Sequence, residues 1–125
     1  MERAILEFLE AQKLGQDTFT IAAVAFVKQP DEDGRILLSD AELAATRRAL
    51  AKLKRVGKAY DLGRTYQDGR RRWGNERIGL RATIRRMQME NVTDPRFRDH
   101  ATMVVRTHEM LPLIRRAREL GVDLS

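Results

Sequence analysis

Arg47, Arg48, Lys52, Lys54 and Arg55 fall within one candidate helix, and Arg64, Arg70, Arg71 and Arg72 follow shortly after it. Side chains of these types hold phosphates. The guanidinium is a planar fork of donors that matches a phosphate or the hydrogen-bonding edge of guanine, and lysine adds a mobile point charge. The groups that catalysis asks for are missing: the sequence has no phosphate-cradling glycine loop, no nucleophile elbow and no acid/base pair in an apolar setting. There is no cysteine, which removes thiol chemistry, disulfides and cysteine zinc sites and fits a reducing compartment. His100 and His108 sit more than two helical turns apart without a carboxylate pattern beside them, and Asp31, Glu32 and Asp33 lack the rest of a calcium loop. Met87, Met89, Met103 and Met110 recur at helical spacing and read as core filler. The expectation is a binding protein, not an enzyme, with no metal and no cofactor.

The net charge of +6 is unevenly placed. Residues 1–34 carry three Lys/Arg against seven Asp/Glu, residues 35–86 carry fifteen against five, and residues 87–125 carry six of each. A positive field confined to the middle of the chain is what a polyanionic partner would select. At 125 residues, 42% hydrophobic and 34% charged, the chain has enough apolar content to fold. It shows no uninterrupted apolar run of membrane-spanning length, and its acidic start does not resemble a secretory signal, so a cytoplasmic protein is expected.

The elements that must position the cations follow from periodicity. Ile5, Leu6, Phe8, Leu9 and Ala11 predict a helix over residues 1–14, stopped by Gly15. "TIAAVAFVKQ" predicts a short buried helix with Thr20 as its cap, and Ile36 to Leu38 a short strand or apolar plug after the Asp33-Gly34 turn. Ser39 and Glu42 form a capping-box pattern opening a helix over residues 40–56 that ends at Gly57. At about 100° per residue, Leu43, Thr46, Leu50 and Leu53, with Ala49 and Val56 at the margin, share its inner side. Arg48, Lys52 and Arg55, flanked by Arg47 and Lys54, share the outer side with Ala41, Ala44 and Ala51. Small residues let such a helix approach a groove while the long cations reach phosphates and base edges.

Asp68-Gly69 is a strong hairpin signal between extended candidates at residues 60–67 and 70–77. A two-residue turn there opposes Gln67 to Arg70, Tyr66 to Arg71 and Arg64 to Trp73, and puts Tyr60, Leu62, Arg64, Tyr66, Arg71 and Trp73 on one side. Trp73, with Tyr60 and Leu62 as neighbours, is then expected to anchor the ribbon against the helix over residues 40–56, the competing role being to stack, with Tyr66, on an unpaired base.

The succession of helix, turn, basic helix, glycine and basic hairpin, carried by "SDAELAATRRALAKLKRVGKAYDLG" and "DGRRRW", resembles the winged helix-turn-helix family of DNA-binding domains over roughly residues 5–78. The resemblance implies a mainly α fold with a small β-hairpin, an α+β winged domain over residues 1–78 and a helical extension over residues 79–125. It further implies that Arg47, Arg48, Lys52 and Arg55 lie on a recognition helix in the major groove, and Arg64, Arg70, Arg71 and Arg72 on a wing. The ten residues "PDEDGRILLS" are longer than the tight turn usual at that place in the family.

Beyond the hairpin, Leu80, Ile84 and Met87 predict a fourth helix with Arg81, Arg85 and Arg86 outside it, ending near Asn91. A helix starting at Thr93-Asp94-Pro95 then carries Phe97, Ala101, Val104, His108 and Leu111 in the narrow stripe of a helix seeking another, with Pro112 kinking or restarting it. Residues 93–120 are thus expected either to pair two copies into a homodimer on a palindromic site or to fold back and complete the monomer. The functional expectation is sequence-specific double-stranded DNA binding by a small homodimeric transcriptional regulator. In it Lys52, Lys54, Arg55, Arg64, Arg70 and Arg72 contact phosphates, and Arg47 and Arg48 read bases. The alternatives are an architectural DNA binder in replication, partition or a mobile-element process, and an adaptor whose basic face docks an acidic protein or RNA.

Overall fold

The computed structural model describes residues 1–125. Five helices and a small three-stranded antiparallel sheet make a mainly α, α+β chain that divides into Met1–Ile78 and Gly79–Ser125. No helix is long and apolar enough to cross a membrane.

The first unit runs α1 (Glu2–Ala11), β1 (Gln16–Asp17), α2 (Thr18–Ala25), α3 (Asp40–Arg55), β2 (Tyr60–Arg64) and β3 (Arg71–Gly74), then enters α4 (Glu76–Thr93). The strand order is β1-β3-β2. Its core joins Ile5 and Leu9 of α1, Ile21 of α2, Ala49, Leu50 and Leu53 of α3, Ala59 and Trp73. The apolar side read for α3 is the buried one, except that Leu43 is half-buried and Val56 is exposed. The capping box forms as its residue types require: Ser39 Oγ accepts from Glu42 N at 3.0 Å and Glu42 Oε1 from Ser39 N at 2.9 Å.

Several boundaries differ from the sequence expectation. α1 ends at Ala11, before Gly15, because the chain turns extended at Gln12 and goes on into β1. Gly15 serves packing instead: a Cβ there would lie 2.6 Å from Leu62 Cδ1. The cap of α2 is Asp17, accepting from Thr20 N at 2.6 Å, and Thr20 is inside the helix. Ile36 to Leu38 form no strand, and Leu37 is exposed. Asn75, expected in a strand, is buried and joins two helices: its Oδ1 accepts from Ile78 N at 3.0 Å, while its Nδ2 donates to Leu9 O at 2.9 Å at the end of α1. It thereby supplies partners for backbone groups that both helix ends leave open.

In the second unit α4 continues to Thr93, a 3₁₀ turn spans Pro95–Arg98, and α5 covers His100–Glu119 with Pro112 inside it. Asp94 caps the turn and Asp99 caps α5, so the Thr93-Asp94-Pro95 start opens only one short turn before the long helix. Leu80, Ile84 and Met87 of α4 pack with Met110 and Ala117 of α5, and Leu113, Ile114, Leu120, Val122 and Leu124 close round them.

Candidate nucleic-acid interface

The outer side of α3 carries the cations that have nothing to hold inside the chain. The side chains of Arg47, Arg48 and Arg55 make no internal hydrogen bond or ion pair, and neither does that of Lys58 just past the helix. Arg48 and Arg55 lie at the middle of the exposed face, with Ala41, Ala44 and Ala51 beside them. Lys52, on one flank, reaches Glu2 of α1 at 3.2 Å, and Lys54, on the other, reaches Asp61 of β2 at 3.9 Å. Gly57 ends the helix at φ 75°, with Lys58 N donating to Leu53 O at 2.9 Å and Gly57 N to Lys54 O at 3.0 Å, a left-handed cap that only glycine adopts freely.

The hairpin is shorter than its sequence suggests. Arg64 pairs with Arg71, Gly63 with Arg72, Asp61 with Trp73 and Tyr60 with Gly74, and the ladder slips by one residue between Asp61 and Gly63. The expected register, with Arg64 opposite Trp73, is therefore wrong by two residues at the tip. The Asp68-Gly69 pair does not turn the chain alone; residues 65–70 form the loop, closed by Gly69 N donating to Thr65 O at 2.9 Å and by Thr65 Oγ1 donating to Asp68 Oδ1 at 2.6 Å. Asp68 also accepts from Arg70 N at 2.9 Å, and these contacts hold its carboxyl below the usual range. Tyr66 lies fully exposed on this loop rather than in a strand.

The slip re-sorts the faces, since an extra residue in one strand reverses its alternation. Arg64 and Arg71 keep one face with Trp73, as expected, but Asp61 takes the place foreseen for Tyr60 and Leu62. Leu62 turns to the other face, 3.2 Å from the position a Cβ would take on Gly74. Trp73 is the anchor. It is 6% exposed, packed in the core, and its indole Nε1 donates to Thr18 Oγ1 at 3.1 Å, so it is not presented for stacking on a base.

The hairpin arginines differ from those of α3 in being paired. Arg70 Nη1 lies 3.3 Å from Asp17 Oδ2, Arg71 is hydrogen-bonded to Asp61, and Arg72 Nη2 lies 2.9 Å from Asp68 Oδ2. Arg64 Nη1 donates to Gly69 O at 2.9 Å. Sequence reading singled out the cations of α3 and the hairpin arginines, and it missed Lys58 and these carboxylates. Asp61 and Asp17 carry no local signal of that role, because the hairpin arginines they meet are ten or more residues away and the register decides which they meet.

Two concave regions flank this surface. One of about 420 Å³ is lined by Phe19 of α2, Leu43 and Arg47 of α3, and Arg64, Arg70 and Arg71 of the hairpin. The other, about 610 Å³, runs along Arg48, Ala51, Lys54 and Arg55 to Trp73. Together they bring Arg47, Arg48, Lys54 and Arg55 of α3 and Arg64, Arg70 and Arg71 of the hairpin to adjoining walls, with Lys52 turned towards α1 and Arg72 on the other face of the hairpin. Such a surface can accept an extended polyanion along α3 with further phosphates beside the hairpin. Comparison with protein-family models, with curated proteins and with solved structures gives no match.

Proposed function

We propose that the chain is a sequence-specific double-stranded DNA-binding protein, acting as a homodimeric transcriptional regulator, with α3 as the element that enters the major groove. The observation that carries this reading is the outer face of α3: three arginines without internal partners, separated by alanines, on a capped helix anchored by Leu50 and Leu53. The major groove is about 12 Å wide and admits a helix, and unpaired guanidinium groups reach phosphate and base edges without first breaking a contact. The order α1-β1-α2-α3-β2-β3, with its hairpin beside α3, supports a winged helix-turn-helix arrangement. Arg47 and Arg48 are assigned to base reading; Arg55, Lys54 and Lys52, with Arg64, Arg70, Arg71 and Arg72, are assigned to phosphates.

The homodimer rests on α5. The stripe Ala101, Val104, His108 and Leu111 lies on the side of the helix opposite Met110 and Ala117, and Val104 and Leu111 are 44% and 40% exposed. From Ala101 to Leu111 this stripe carries no Asp, Glu, Lys or Arg, so a second copy of the same surface fits it better than an acidic or a basic partner would.

Selection from a random duplex pool at about 150 mM salt, where purely electrostatic binding is weakened, tests the reading. The expected result is an enriched two-fold symmetric motif. Arg48→Ala should then cost roughly 1 to 3 kcal/mol on that motif alone, whereas Arg55→Ala should weaken all duplexes alike and lower the salt slope by about one unit. Binding without any enriched motif favours the architectural role, and loss of binding at this salt favours an acidic-protein or RNA partner.

A further inference from the structure

The carboxylates inside the basic surface follow a pattern. Arg70, Arg71 and Arg72 each have an acid of their own, Asp17, Asp61 and Asp68, while Arg47, Arg48 and Arg55 have none. Asp61 stands out among the three because it faces cations from two elements, Arg71 of β3 and Lys54 of α3 at 3.9 Å. It cannot swing away easily. Its Oδ1 accepts from Gly63 N at 2.9 Å, at the slip in the ladder, and its side chain is 14% exposed.

We propose that Asp61 is a specificity-determining residue of the nucleic-acid surface, offsetting one of the two charges of Arg71 and Lys54 so that arbitrary phosphates draw less attraction from them. This rests on the nucleic-acid reading above. A cation that releases a condensed counterion on meeting a phosphate adds affinity for every sequence equally. A cation held by a fixed carboxylate offers the phosphate an exchange of partners and leaves the carboxylate's repulsion behind. Sequence-independent affinity is thereby lowered at the hairpin, while the free arginines of α3 keep their full reach to bases, and discrimination is the difference between the two. A pair that served stability alone would gain little at this exposure of Lys54 and Arg71, since surface ion pairs contribute roughly 0 to 1 kcal/mol.

The test is Asp61→Asn, which keeps the Oδ1 acceptor for Gly63 N and removes only the charge. Asp31→Asn is the control for net charge, because the Asp31 side chain accepts only from Asp33 N and Arg35 N of its own turn. Binding to a random-sequence duplex is measured by fluorescence anisotropy across salt, with thermal unfolding to confirm that both variants are folded. Asp61→Asn should bind about fivefold more tightly near 0.15 M salt, with a salt slope steeper by about one unit, and should lose discrimination between selected and random duplexes. Arg71→Ala should then weaken binding more in the Asp61→Asn background than in the wild type. If the wild type binds duplex and Asp61→Asn binds no more tightly than Asp31→Asn, the inference is overturned and the nucleic-acid reading stands. If neither wild type nor Asp61→Asn binds duplex, that reading falls and the inference with it.

Discussion

Val27 holds φ at 52°, in the left-handed region where a β-branched side chain is strained. Its position explains why the backbone goes there. α2 closes by Lys28 N donating to Ala23 O at 2.8 Å and Val27 N to Val24 O at 3.1 Å, the same pattern that Gly57 makes after α3 and Gly121 after α5. Two of these three caps use glycine and the third uses a valine that is 78% exposed, so no burial of its side chain offsets the strain. Val27→Gly should therefore raise stability by about 1 kcal/mol, the relief of strain exceeding the added unfolded-state entropy. Chemical denaturation checks this; an unchanged or lower midpoint would show that the conformation carries no cost.

At the scale of elements, Asp17 links β1, α2 and the hairpin loop. Burial raises its carboxyl pKa, but hydrogen bonds from the Thr20 backbone and hydroxyl and from Arg70, with the Arg70 charge, more than offset that and leave it below the ordinary value. A depressed carboxyl contributes stability that is fully present above its unfolded pKa, near 3.9, and is lost as pH falls through the folded value. Asp17→Asn keeps an acceptor for the α2 cap but cannot titrate. It should be less stable than the wild type at pH 6, with the gap narrowing towards pH 3, whereas Asp17→Ala should cost about 1 to 2 kcal/mol at pH 6 through the lost cap. Unfolding followed at both pH values separates the two contributions; a gap that is constant with pH would remove Arg70 and Thr20 as the cause.

At the scale of the whole molecule, each unit closes its own apolar cluster, and α5 is left with a second apolar side. If that side pairs two copies, Val104→Glu or Leu111→Glu should halve the mass seen by sedimentation velocity at matched concentration. Each should also reduce affinity for a two-fold symmetric duplex far more than for a half-site, because joining two readers makes the second contact intramolecular. A wild type that sediments as a monomer would end the homodimer assignment.

How much of this was legible beforehand depended on how local its physics is. Ser39, Glu42 and Gly57 marked α3 because caps involve backbone groups only a few residues away, and a period of about 3.6 residues sorted Leu50 and Leu53 from Arg48 and Arg55. The anchoring of Trp73 followed from its size and its place near the base of a ribbon. The extra residue between Asp61 and Gly63 was not legible, because a strand's register is fixed by what packs on both of its faces, here Leu62 against Gly15 and Gly74 and Trp73 within the core. The six-residue loop sets Arg64 opposite Arg71, and the slip then puts Asp61 on the same face as Arg71 and Trp73. The stripe on α5 shows the same limit in reverse: its spacing was plain in the sequence, but only the packing of Met110 and Ala117 against α4 decided that it faces outward. The sequence by itself determined which side chains are cationic and which helix presents them, since composition and helical period suffice for that. Which of those cations are already neutralised was decided only by the tertiary structure, because an ion pair between distant residues exists only once the chain has brought them together.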